Sequence, residues 1–153
     1  GLIVQLPVDY APAWWPTEDV VADMVQTQLD RLDPGGVACT WLPTDTEAII
    51  ADGGVVVRVH AMPGIVEERV LRYVPVQLEV LAATRKTSTQ VFDFVSDMLC
   101  TQYVAGGIVP RADGSTTPIR GFAVSETPQQ IVFDDPDDRL VQGTFVLATG
   151  KRR

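Results

Sequence analysis

Hydrophobic and polar positions alternate in two rhythms along this chain, and the switches between them mark its elements. Up to Leu81 the rhythm is two: Val74, Val76, Leu78 and Val80 fall on one side, Tyr73, Gln77, Glu79 and Leu81 on the other. A strand so patterned has one dry face. After Arg85 and Lys86, read as a turn, the rhythm becomes helical. Thr87 or Ser88 can cap this helix, and Val91, Phe94, Val95, Met98 and Leu99 form one apolar stripe. The same spacing puts Val20, Val21, Met24, Val25, Leu29 and Leu32 on the buried side of an earlier helix. Thr17 is its predicted cap, Glu18 and Asp19 suit the positive end of its dipole, and Asp33-Pro34-Gly35-Gly36 stops it.

Further strands are predicted at Val37–Leu42, before a polar loop to Gly54, and at Val55–Ala61, where Val55, Val57 and Val59 alternate with Val56, Arg58 and His60. Met62-Pro63-Gly64 breaks the second of these. Past Gly106-Gly107, strands fall at Ile108–Val109, Ile119–Glu126 and Gln130–Phe133, with a long last one at Arg139–Thr149. Strands joined by short turns pair antiparallel, and two helices can cover one face. The predicted fold is therefore α+β: a mostly antiparallel sheet with two helices packed on one face, a two-layer sandwich whose first two strands form a hairpin. Pro75 cannot donate to a ladder, so one margin of the long third strand should be unpaired there. If the third or the last strand lies at a sheet edge, it offers backbone groups to another subunit. Residues 1–16 read as an extended Pro/Trp-rich arm, residues 17–150 as one domain, and Lys151-Arg152-Arg153 as a frayed basic tail.

Composition narrows the class. With 153 residues, 46% hydrophobic and 21% charged, the chain suits one globular domain with a continuous core. No apolar run approaches the roughly 20 residues that span a bilayer, and the start lacks the basic leader of a secretory signal. The expectation is a soluble protein assembled inside a cell, without a membrane partner. The net charge is −8, and it is uneven: residues 1–53 carry nine acids against Arg31 alone. Such a chain is a poor grip for phosphates but can surround DNA without holding it. For any single acid, a solvated face remains the plain reading.

Candidate chemistry adds little. His60, the sole histidine, has Arg58 and Glu67 near it in sequence but no nucleophile, and reads as a surface or interface residue. Asp134, Asp135, Asp137 and Asp138 lack the spacing, central Gly and closing Glu of a calcium loop, and suit a tight turn. The Gly pairs at 35–36, 53–54 and 106–107 have no phosphate-loop context. Cys39 and Cys100 read as small buried hydrophobes, not a disulfide or zinc pair. No catalytic, cofactor-binding or metal-binding residue is predicted. Trp14 and Trp15, adjacent on an extended arm, cannot easily share one core; they pack on this domain or touch a subunit or partner.

Four stretches together resemble the tail terminator proteins of long-tailed, non-contractile (siphovirus-type) bacteriophages, particularly those of actinobacterial hosts. They are the acidic helix ending at Asp33-Pro34, the strand VVVRVHAMPG, the unit VQLEVLAATRKTSTQVFDFVSDML, and the closing PQQIVFDDPDDRLVQGTFVLAT. The likeness is one of pattern and order over roughly residues 17–150. It leaves the arm at 1–16 unexplained. The resemblance implies a structural virion protein without enzymatic activity, sited at the head-proximal end of the tail and assembled in the host cytoplasm. It implies a homohexameric ring that caps the tail tube protein, stops its polymerisation and presents a surface to a neck or head-completion protein. Viral DNA would pass through the lumen without specific binding, and Glu18, Asp19 and Asp23 are candidates for an acidic lining that repels phosphates. The rivals are another connector (a neck or head-completion protein, or a tail tube subunit) and, further off, a small α+β enzyme or ligand-binding domain with a deep polar pocket.

Overall fold

The strong periodic segments become the long elements, and the weak ones rearrange between them. The computed structural model describes residues 3–125 and 139–152. In order they form α1 (Thr17–Leu29), β1 (Gly36–Cys39), α2 (Thr46–Ala51), β2 (Val55–Ala61), β3 (Val66–Glu68), β4 (Leu71–Leu81), α3 (Arg85–Gln102), β5 (Gly107–Pro110), β6 (Thr116–Ile119), β7 (Gly121–Val124) and β8 (Leu140–Gly150). The main sheet has the order β1-β2-β4-β8-β7, with β3 also on β4, while β5 and β6 form a separate pair. Only β1–β2 is parallel among these pairs. The expected α+β class with a mostly antiparallel sheet is what forms.

β4 is central, not an edge. β8 pairs with it from Leu71 to Leu81 on one side; on the other, β2 covers Val76–Leu81 and β3 covers Leu71–Tyr73. The handover falls at Pro75, which has no N–H to leave unpaired, and its carbonyl accepts from the Met62 N–H at 2.8 Å. β8 also pairs with β7 over Phe145–Ala148, so it is paired on both sides along that stretch.

Alternation sends Val55, Val57 and Val59, Val74, Val76, Leu78 and Val80, and Phe145 and Leu147 to the face under α1 and α3. Val20, Val21, Met24, Val25 and Leu29 of α1 and Val91, Val95 and Leu99 of α3 close over them. Phe145 stacks on Phe122 with ring centroids 5.2 Å apart and meets Phe92 at 5.9 Å. Gly143 makes room for that cluster, since a Cβ there would stand 2.5 Å from the Phe92 ring. Full burial of each such side chain is worth about 1.5–3 kcal/mol, so this face carries most of the fold's stability.

Several local expectations give way. Pro16, not Thr17, occupies the cap of α1; its extended backbone turns the chain into the helix, and its carbonyl accepts from Val20 at 3.0 Å. α1 ends at Leu29, ahead of the Asp33-Pro34 stop, because Arg31 and Leu32 tighten onto the carbonyls of Gln28 and Leu29. Leu32 packs on the core from beyond the helix. Thr84, not Thr87 or Ser88, caps α3: its hydroxyl accepts from the Thr87 N–H at 3.2 Å, so Arg85 and Lys86 form the first turn. Ser88 is buried instead, donating to the Thr84 carbonyl and accepting from the Ala82 N–H at 2.9 Å.

The expected hairpin of the first two strands is replaced by a parallel pair, because the polar loop contains α2 and carries the chain across. β1 stops at Cys39, short of the predicted Leu42, and Gly36 fits against β2 where a Cβ would meet Val55 Cγ1 at 2.5 Å. The helices therefore number three among the described residues, α2 being a single short one. The run predicted as Ile119–Glu126 breaks at Arg120, giving its start to β6 and its middle to β7. The predicted Gln130–Phe133 strand and the Asp134–Asp138 turn lie outside the described residues. No helix among those described is long and apolar enough to cross a membrane.

Candidate assembly surface

Among the described residues, the hydrogen bond and cation–π contacts that join the arm to the body lie near its base. Arg152 donates its backbone N–H to the Ala13 carbonyl at 2.7 Å and lies 4.2 Å from the Trp15 ring centroid; Arg72 of β4 stands 5.6 Å from that of Trp14. A cation over an aromatic face is attracted by the ring quadrupole, so each arginine clamps one half-buried tryptophan. Lys151 also donates to the Val70 carbonyl at 2.9 Å. Lys151 and Arg152 are thus tied to the body, not frayed. Beyond this base, Ile3, Val4, Leu6, Val8 and Tyr10 are exposed, Val8 completely (103%). A turn from the Tyr10 N–H to the Pro7 carbonyl at 3.0 Å shapes the segment.

An open cleft of about 640 Å³ begins beside the arm's base. The first turn of α1, from Pro16 to Asp19, forms one wall, Trp41 after β1 another, and Arg58, His60 and Ala61 of β2 with Arg72 and Val74 of β4 the floor. Strand lengths explain it. β1 stops at Cys39, opposite Arg58, while β2 runs on to Ala61 with no neighbour on that margin among the described strands. Trp41 is 82% exposed at the rim, with exposed Ile65 also lining the cleft.

Arg58 and His60 point to the face opposite α1, in a polar row that register carries from Cys39 through Arg58 and Glu79 to Gln142. Glu79 is shared, 3.8 Å from Arg58 Nη1 and 3.7 Å from His60 Nδ1. Those separations exceed hydrogen-bond reach. Among the described residues Arg58 Nε and His60 Nδ1 are buried without an acceptor, as is Arg72 Nε, 3.8 Å from Glu67.

The three candidate acids of α1 separate. Glu18 and Asp19 line the cleft, Asp19 exposed and Glu18 half-buried. Asp23 turns to the small sheet: its Oδ2 accepts from Arg111 Nε at 2.7 Å and from the Ala112 N–H at 3.2 Å, while Arg111 Nη1 donates to the buried Thr117 hydroxyl at 2.9 Å. Its charge is balanced within the fold.

This set of groups has little reactive chemistry. His60 has a carboxylate near it but no nucleophile to activate. Burial pushes the Cys39 thiol up, against the smaller opposing pull of Arg58, and burial likewise raises Cys100. Raised thiols are poor nucleophiles. No group of three or more His, Cys, Asp or Glu side chains among the described residues could hold a metal. The residue pattern singles out Trp14 and Trp15 but not Trp41, which it assigns to the strand Val37–Leu42 and which the structure leaves beyond the end of β1.

Compared with protein-family models, residues 13–153 match the one described as phage tail termination protein. The match begins at Ala13, where the arm meets the body, and excludes the exposed segment before it. No curated protein matches the chain.

Proposed function

From the premise that the chain belongs to the phage tail termination proteins, structural components of the virion tail, we propose that it works as a self-assembling ring. The ring caps the tail tube, stops the tube protein from polymerising further, and offers its outer surface to a neck or head-completion protein at the head-proximal end. A homohexamer is the expected closure. The observation that carries this reading is a family match spanning the whole body of the fold. The rigid sheet supports it: exposed apolar residues lie on the loops and short strands around it, at Trp41, Leu42, Ile65, Val66 and Val70 and again at Val104, Ile108 and Val124. Scattered apolar side chains are ordinary, but Trp41 and Ile65 border one cleft together, which supports a contact surface there.

Viral DNA passes through the opening without being gripped. The acid excess of residues 1–53 supports a lumen that repels phosphates. Because Arg111 balances Asp23, the proposal places this work on Glu18 and Asp19. Trp14 and Trp15 keep an interface role by fixing where the arm departs.

Native mass spectrometry and negative-stain imaging of the chain with purified tail tubes test the reading. Single closed rings seated on one end of each tube are expected. A chain that polymerises into tubes itself, or stays monomeric beside them, overturns it. For the lumen, Glu18→Lys with Asp19→Lys should leave rings intact and impair genome transit, and unchanged infectivity would refute that role.

A further inference from the structure

We propose that residues 3–10 of one copy add as a strand to the open margin of β2 in a second copy, along the β2 side of the cleft and across from Glu18 and Asp19 on its α1 wall. This rests on the self-assembly reading above and names the contact that would join neighbours.

Arm and cleft match on both of their sides. In an extended chain, Val4, Leu6, Val8 and Tyr10 share one side, and Ile3, Gln5, Pro7 and Asp9 the other. β2 is two-sided in the same way, with Val59 and Ala61 toward α1 and Arg58 and His60 away from it. A strand beside β2 sets its apolar side near Ala61 and Val74. Its other side then delivers the Asp9 carboxylate toward Arg58 and His60, where Arg58 Nε and His60 Nδ1 lack an acceptor.

Backbone chemistry agrees. Among the described residues no strand pairs with β2 past Arg58 on that margin, which is what strand addition needs. Pro7 has no N–H, and with Val4, Leu6 and Val8 bonded inward it faces the outer edge, where a proline is tolerated in a strand. The one turn bond from Tyr10 to Pro7 opens and is replaced by ladder bonds.

The occupant is a second copy for two reasons. The arm's own apolar residues are exposed, so they do not fill their own cleft. From the clamp at Ala13, ten extended residues reach up to about 33 Å, enough to cross to a neighbour. Every copy then gives an arm and receives one, a head-to-tail contact of the kind that closes into a ring.

Disulfide trapping tests this in chains carrying Cys39→Ser and Cys100→Ser. One chain bears Val4→Cys, Leu6→Cys or Val8→Cys in turn, and a second, of different mass, bears Ile65→Cys. Mixed and mildly oxidised, at least one pairing should give about tenfold more crosslinked heterodimer than the same arm chain mixed with Ile108→Cys. Yields equal to that control at all three positions overturn the proposal. So does a bond within a single chain carrying both cysteines, which assigns the arm to its own cleft, and so does arm protection that appears only on adding tail tubes, which assigns it to the tube. Deleting residues 1–10 should weaken self-association about tenfold or more while leaving the monomer's melting temperature unchanged. Wild-type rings without crosslinks, or with the deletion harmless, defeat this inference alone; a wild type that never self-assembles defeats the ring reading itself.

Discussion

The two halves of α1 border the same sheet and treat its margin in opposite ways. Toward the C-terminal half the margin is closed. Gln26 places its amide where a neighbouring strand's peptide would lie: Nε2 donates to the Gly36 carbonyl at 3.0 Å, and Oε1 accepts from the Ala38 N–H at 2.8 Å. The same Nε2 reaches Asp30 at 2.8 Å, so the amide is fully engaged. One turn earlier, Asp23 pins Arg111 and with it the small sheet. At the N-terminal turn, Pro16–Asp19 stand across an open cleft from β2, and Trp41 marks its rim. Bare strand edges invite pairing, and native proteins blunt the ones they do not use. A chain that seals one stretch with a side chain and leaves the next bare has sorted its margin into a silent part and an addressable one.

The sharpest way to break this comparison is to cut one acid from each half. Asp23→Ala leaves the Arg111 guanidinium, whose side chain is only 14% exposed, without its carboxylate. Stranding a mostly buried charge should cost about 2–4 kcal/mol, discounted from the fully buried case because Asp23 itself keeps some water contact. Asp19→Ala, on the exposed first turn, should stay within about 0.5 kcal/mol. Urea denaturation of both monomers measures the difference. Equal costs would mean that the two halves of α1 are not specialised.

A smaller effect sharpens the closed side. Gln26→Ala frees one carbonyl and one N–H at the outer margin of β1, which water can partly satisfy, so the loss should be about 1–2 kcal/mol in the same denaturation. The more telling change is a new edge, visible as concentration-dependent light scattering. Gln26→Glu keeps the acceptor for Ala38 but sets a carboxylate oxygen against the Gly36 carbonyl and the Asp30 carboxylate, so it should cost at least as much as alanine. If Gln26→Ala scatters no more than wild type, the margin was never held shut by this side chain.

How far this could be read from the sequence depends on where each partner lies. α1, α3, β2, β4 and β8 bury a whole stripe or face, so their period survives in the residue order. α2 buries only Ile50, and Val66–Glu68 of β3 are all exposed, so neither leaves a rhythm to detect. Missing α2 then turned a parallel crossover into an expected hairpin. Asp23 looks like Glu18 and Asp19 in sequence, because what distinguishes it is an arginine 88 residues away. Trp14 and Trp15 could be singled out, but Arg72 and Arg152 that hold them could not. The unpaired stretch of β2 depends on β1 stopping at Cys39, a length that propensity does not fix.

The smallest predicted effect lies at the hairpin tip that presents Arg111 to Asp23. There Asp113 accepts from both the hydroxyl and the N–H of Ser115, and these bonds, the hydroxyl first, hold its carboxyl below the ordinary range, with a lesser contribution from the Arg111 charge. A lowered folded-state value means that the stabilisation is present above the ordinary carboxylate pKa and is lost as pH falls through the folded one. Asp113 is fully exposed, so water screens the interaction and the effect is local. Ser115→Ala should move the Asp113 midpoint up toward the ordinary value in an NMR titration of its carboxyl carbon. Lowering the pH should reduce amide protection, taken relative to the intrinsic exchange rate at each pH, at Gly114 and Ser115 before it touches the first turn of α1, because the tip is joined to the closed half of that helix and not to its cleft. Protection that falls at Val20, the first hydrogen-bonded amide of α1, together with Ser115 would show the two halves to be one cooperative unit, and the contrast between them would then be geometric only.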